Sequence, residues 1–95
     1  MAVLMTTEFQ ATAEQYDAVD KALDGANNPP DGLIAHSAQD LGGKMKVVDI
    51  WESAEAFGAF AETKLGPTIA ETLGDDAPPA PEPEFTELHN AYKAG

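Results

Sequence analysis

An imidazole held beside a carboxylate is a general base in waiting, and two neighbouring segments of this chain carry one partner each. His36 lies in the apolar run Leu33 to Gln39 and Asp49 in the run Met45 to Glu52. Between the runs, Asp40-Leu41-Gly42-Gly43 offers two glycines that tolerate φ > 0, so the chain can reverse tightly and the runs form a β-hairpin. With an even loop, Asp40 opposite Gly43, His36 pairs with Val47 and Ile34 with Asp49. Both ionisable side chains then share a face as a diagonal pair about 7–8 Å apart along the backbone, close enough for the carboxylate to orient the ring. An odd loop sends them to opposite faces and dissolves the pair. His36 as base and Asp49 as its orienting partner are the expected catalytic residues. The competing reading is a structural hydrogen bond, or contact with solvent at a strand end.

Other side chains suit ligand binding. Trp51 offers an aromatic face for stacking, although an indole beside two apolar strands packs in a core by default. Phe57 and Phe60 stand at helical spacing and serve as pocket wall or core. Tyr16 can present its hydroxyl to a ligand, or remain a core ring with a wet tip. His89, followed by Asn90, adds a polar group to a pocket or sits hydrogen-bonded at a seam between two copies of the chain. A metal site built from His36, His89 and a carboxylate would be of nitrogen and oxygen type, but two isolated histidines so far apart in sequence make a weak signal, and no metal is expected.

Composition narrows the chemistry further. Five Lys, no Arg and seventeen Asp plus Glu give a net charge of −12, which repels nucleic-acid phosphates and anionic lipid. Neither nucleic acid nor membrane is an expected partner. Without Arg there is no planar fork to clamp phosphate or carboxylate, and without Cys there are no disulfides, thiolate nucleophiles or thiolate metal sites. The opening residues Met1 to Met5 carry neither a basic leader nor a long apolar run, which predicts a cytoplasmic location.

The elements that must position these residues are legible in outline. Ala2 to Phe9 reads as a strand. Thr12-Ala13-Glu14-Gln15 has capping-box spacing and opens a helix from Ala13 to Asp24, with Tyr16, Val19 and Leu23 on one stripe and a stop at Gly25. After the hairpin, Ser53 suits an N-cap for a second helix carrying Phe57, Phe60 and Ala61. Gly66-Pro67 is expected to interrupt that helix, leaving a short helical piece over Thr68 to Leu73. Four prolines between Asp75 and Pro83 predict an extended spacer inside a single domain spanning 1–95. Phe85 to Tyr92 supplies a fourth strand, followed by a short mobile tail.

The order βαββαβ defines a ferredoxin-like α+β fold, a four-stranded antiparallel sheet with two helices on one face. Strand alternation then exposes a problem. Val48 and Ile50 point one way and Val47 and Trp51 the other, and Val3 and Met5 lie opposite Ala2 and Leu4, so both faces are apolar. Leaving a few hundred Å² of such surface wet forgoes several kcal/mol at roughly 25 cal/mol per Å². A second copy of the chain is the expected cover, giving a homodimeric barrel with helices outside. The Pro-rich spacer could let the fourth strand reach the partner's sheet edge.

Val47 to Phe57, with its W-x-S-x-E-A-F segment from Trp51 to Phe57, followed by Phe60 and Leu65-Gly66-Pro67, resembles the antibiotic biosynthesis monooxygenase-like family of the dimeric α+β barrel superfamily. Gly32 to His36 and Leu88-His89-Asn90 are similar to the matching strands of small actinobacterial members. The resemblance implies the dimeric barrel, a pocket between helices and sheet, and cofactor-independent monooxygenase-like activity on a small apolar or aromatic molecule. A non-catalytic binding or accessory module is the alternative, since the superfamily also holds members with no known reaction. Its haem-degrading branch carries Asn on the first strand and Trp and His on the second helix. Here Thr6 and Thr7 and Phe57 and Phe60 stand instead, so no haem and no other cofactor is expected. The quinone-forming oxygenases also draw on an Arg, which this chain lacks.

Overall fold

The computed structural model describes residues 2–79 and 81–92 of the chain. The expected mobile tail lies outside these residues, as does part of the Pro-rich spacer. The first strand, β1 (Val3–Phe9), leads into α1 (Ala13–Leu23) through the capping box: Thr12 Oγ1 accepts from the Gln15 amide at 3.1 Å, and Gln15 Oε1 accepts from the Thr12 amide at 2.9 Å. The helix stops one residue earlier than expected. Asp24, not Gly25, takes the left-handed conformation (φ 53°), its carboxylate accepting from the side-chain amides of Asn27 and Asn28. A short polar side chain that bonds locally makes that conformation affordable.

Strands β2 (Leu33–Asp40) and β3 (Met45–Trp51) form the hairpin, and β4 (Glu84–Glu87) completes a sheet of order β2-β3-β1-β4 in which every neighbouring pair is antiparallel. This is the ferredoxin-like arrangement, with the helical segments gathered on one face. Val3, Met5, Val47 and Trp51 form the buried centre of that face, and Tyr16, Leu33, Ala56, Phe57 and Phe60 pack against it. The alternate side chains Leu4, Val48 and Ile50 point to the opposite face and are half-buried.

Three local expectations are corrected. The hairpin loop has four residues, Leu41 to Lys44, so Asp40 faces Met45 rather than Gly43. Gly66-Pro67 does not break the second helix. Instead α2 (Ala54–Phe60) runs through a π-helical turn over Ala61–Leu65 into α3 (Gly66–Leu73), with the Gly66 amide bonded back to the Ala61 carbonyl, and Pro67 falls at the first turn of α3, where its missing N–H costs little. The fourth strand is only four residues long and ends where its partner β1 begins: Glu87 faces Val3, and the Leu88 amide makes the last bond, to Ala2. His89 and Asn90 therefore lie beyond the strand.

Gly32 brings β2 against α2. Its φ is +88°, its carbonyl accepts from the Glu52 amide at 2.7 Å, and a Cβ placed there would lie 2.6 Å from the Ala56 Cβ. Gly32→Ala should therefore cost about 2–3 kcal/mol through overlap and left-handed strain together. A lowered midpoint in urea unfolding is the expected result, and an unchanged one would contradict this close approach.

Candidate functional site

Asp49 is 5% exposed, on the helix-facing side of β3. A buried carboxylate is costly unless donors surround it, and this one has two. His36 stands directly opposite it on β2, closer than the diagonal expected, because the register differs by two residues and so keeps the same face. Its Nδ1 lies 2.6 Å from Asp49 Oδ1. The indole Nε1–H of Trp51, two residues further along β3 and on the same face, donates to Asp49 Oδ2 at 3.1 Å. On the far side of the imidazole, Tyr16 from α1 places its hydroxyl oxygen 2.5 Å from His36 Nε2. The Tyr16 and His36 ring planes are within 10° of parallel with centroids 6.2 Å apart, and the contact between the hydroxyl oxygen and Nε2 joins the rings end to end.

The result is a continuous chain from Tyr16 through His36 and Asp49 to Trp51, running from the sheet edge into the core. Trp51 is 1% exposed and His36, on an edge strand, has a side chain 38% exposed. The charge state follows from the geometry. The hydrogen bond to Asp49 holds the His36 pKa above its ordinary value against the opposing effect of burial, with a smaller contribution from Asp20. Burial, reinforced by Asp20, Asp49 and Asp17, pushes the Tyr16 phenol up to about 12, so it stays neutral at ordinary pH. When His36 is neutral with its proton on Nδ1, Tyr16 donates to Nε2; when His36 is charged, Nε2–H donates to the Tyr16 oxygen.

Of the sequence-predicted residues, His36, Asp49, Tyr16 and Trp51 are thus brought together. Phe57 and Phe60 are not in the polar chain. They pack on the Trp51 ring at centroid distances of 5.5 and 5.8 Å, so the indole is enclosed by aromatic neighbours rather than open to a stacking ligand. His89 follows β4, beyond the opposite edge of the sheet from His36. Among the described residues no cluster of three or more His, Asp or Glu side chains is arranged to hold a metal ion.

Two cavities lie away from the polar chain. One of about 360 Å³ opens between the β1–β4 edge and the start of α2, lined by Val3, Ser53, Ala54, Glu55, Phe85 and Glu87. Sequence reading assigned none of these to a site. The signal available was the alternation that puts Phe85 and Glu87 on the same face as Met5 and Val3. A smaller cavity of about 120 Å³ includes Phe60, Thr63 and Lys64 with Pro30 and Asp31. Among the described residues no helix is long and apolar enough to cross a membrane.

With the fold and the polar chain defined, comparison with known proteins places the architecture. No family model matches the chain, and no curated protein does. Solved structures do match. A provisional antibiotic biosynthesis monooxygenase from Chloroflexus aurantiacus J-10-fl is 20% identical over 100% of both chains, with a TM-score of 0.67. The NE2512 protein of unknown function from Nitrosomonas europaea is 19% identical, covering 99% of this chain and 95% of that one, with a TM-score of 0.71. A variant of SnoaB, a cofactor-independent oxygenase from Streptomyces nogalater, is 12% identical over 95% of each chain, with a TM-score of 0.64. The chain therefore has the fold of antibiotic biosynthesis monooxygenase-like proteins, and at these identities the likeness is one of fold.

Proposed function

We propose that the chain acts as a homodimer that binds a small apolar or aromatic molecule and removes a proton from its phenolic or enolic hydroxyl, in a cofactor-independent monooxygenase-like reaction. His36 is the base and Asp49 orients it. The observation that carries this reading is the 2.6 Å contact between His36 Nδ1 and Asp49 Oδ1, which fixes the tautomer whose Nε2 can accept a proton. The resulting anion is the species that meets dioxygen. A fold neighbour that is a cofactor-independent oxygenase supports the class of reaction. The apolar residues Leu4, Val48 and Ile50 on the sheet face opposite the helices support the second copy as their cover.

The test is oxygen uptake by the purified protein on a panel of quinols, with light scattering on the same sample. Turnover that falls on the order of 10²–10⁴-fold in His36→Ala, from a particle of twice the 10.0 kDa chain mass, is the expected result. A folded particle of the single-chain mass would overturn the dimer. Binding of a quinol without turnover would favour an accessory binding module instead, a reading supported by the separation between the larger cavity and the polar chain.

A further inference from the structure

Both ring nitrogens of His36 are already engaged within the chain: Nδ1 by Asp49 and Nε2 by Tyr16. A substrate hydroxyl that approached the imidazole directly would find no free lone pair. The Tyr16 oxygen differs. When His36 is neutral, that oxygen gives its single proton to Nε2 and keeps lone pairs that can accept another. It also stands at the outer end of the chain, on a half-buried residue of α1 beside an exposed stretch of β2. Resting on the proposed function of this site, we infer that Tyr16, not His36, is the group that touches the substrate, and that it relays the substrate's proton inward to His36.

The step balances without any co-reactant. The substrate O–H bond breaks and its proton goes to the Tyr16 oxygen, while the Tyr16 O–H proton passes to His36 Nε2. The substrate is left as the anion, Tyr16 as a neutral phenol and His36 as an imidazolium paired with Asp49. No free tyrosinate is formed, which suits a phenol that burial keeps protonated up to about pH 12. The Tyr16 oxygen lies 2.5 Å from Nε2, with the two ring planes within 10° of parallel, so the proton can pass directly between these atoms. The charged and titratable groups facing the relay are Asp49 on β3 and Asp17 and Asp20 on α1, and all favour the imidazolium or the neutral phenol over tyrosinate. The ligand class is a neutral phenol or enol acidic enough to give up its proton to an imidazole.

Two readouts on wild type, Tyr16→Phe and His36→Gln test this, with folding checked by near-ultraviolet circular dichroism. The first is oxygen uptake with whichever quinol the wild type accepts. The second uses 4-nitrophenol under argon, following the absorbance of its phenolate to read ionisation of the bound probe. Loss of turnover by at least 10²-fold in both variants, and loss in both of the probe's enhanced ionisation, is the expected result. Tyr16→Phe as active as wild type, or more active, with His36→Gln inactive, would overturn the relay while leaving His36 as base, because freeing Nε2 would then have helped. Probe ionisation that depends on Tyr16 and His36 without oxygen uptake would sink the oxygenase reading and sustain the relay. Ionisation and turnover indifferent to both residues would overturn both.

Discussion

Trp51→Ala is expected to lower the stability of the chain by about 3–5 kcal/mol, a large fraction of the roughly 5–15 kcal/mol that holds a domain of ordinary stability together. Trp51 is at the centre of the buried cluster, packed by Phe57 and Phe60, and its removal leaves a cavity those rings cannot fill from helical positions set by the Ser53 cap. It also takes away one of the two donors to a buried carboxylate. Trp51→Phe separates these effects. It keeps most of the ring volume but leaves Asp49 Oδ2 without the indole proton, so its cost should approach that of a hydrogen bond to a charged group, about 1.5–3 kcal/mol. Since Trp51 is the chain's one tryptophan, urea unfolding of all three proteins should be followed by far-ultraviolet circular dichroism. Equal stability of Trp51→Phe and wild type would mean that the indole bond to Asp49 contributes nothing.

The two roles of Trp51 show how far local patterns reach. Its burial follows from alternation along β3, where Met45, Val47, Asp49 and Trp51 all face the helices. The same alternation implies that Asp49 must sit among apolar neighbours, and a carboxylate there needs donors, so the pair with His36 was legible up to the loop length. Gly42 and Gly43 do adopt positive φ, but the turn is closed by Leu41 and Lys44 outside them. The resulting shift of register by two residues preserves the face, turning a diagonal neighbour into a direct one. Contacts between elements were a different matter. Nothing in the spacing of Tyr16, Val19 and Leu23 says how α1 is rotated on the sheet, and a turn of that helix by one residue would take the Tyr16 hydroxyl away from His36. The Gly66-Pro67 pair was misleading for a related reason. A proline ends a helix only if its ring and missing amide cannot be absorbed, and the π turn absorbs them; a Cβ at Gly66 would lie 3.0 Å from the Ala61 carbonyl, so the small residue matters as much as the proline. The length of β4 depended on where β1 begins, since an edge strand ends with its partner's backbone.

On the proposed function, Asp49→Asn should abolish most turnover while changing few atoms, and it should alter the pH dependence of stability in a direction that can be worked out. A carboxamide has one acceptor oxygen, and Asp49 serves two donors. If that oxygen keeps the Trp51 indole, its NH₂ faces His36 Nδ1, which must then accept; the ring proton moves to Nε2, and the nitrogen that should take up a proton already holds one. The expected loss of turnover is on the order of 10³-fold or more, the scale of a histidine base held in the wrong tautomer. In the wild type, the folded-state pKa of His36 lies above its ordinary value of 6.5, principally through the Asp49 bond. Its contribution to stability is therefore fully present below about pH 6.5 and is lost as pH rises through the folded-state value. Over that same window the neutral, proton-accepting imidazole accumulates, so turnover should climb as stability declines. Urea midpoints between pH 5 and pH 9 should fall in the wild type and stay level across this window in His36→Gln, and Asp49→Asn should lose the slope together with the activity. A wild-type midpoint independent of pH, or turnover that declines across the window where the midpoint falls, would show that the charged imidazole is not what Asp49 stabilises.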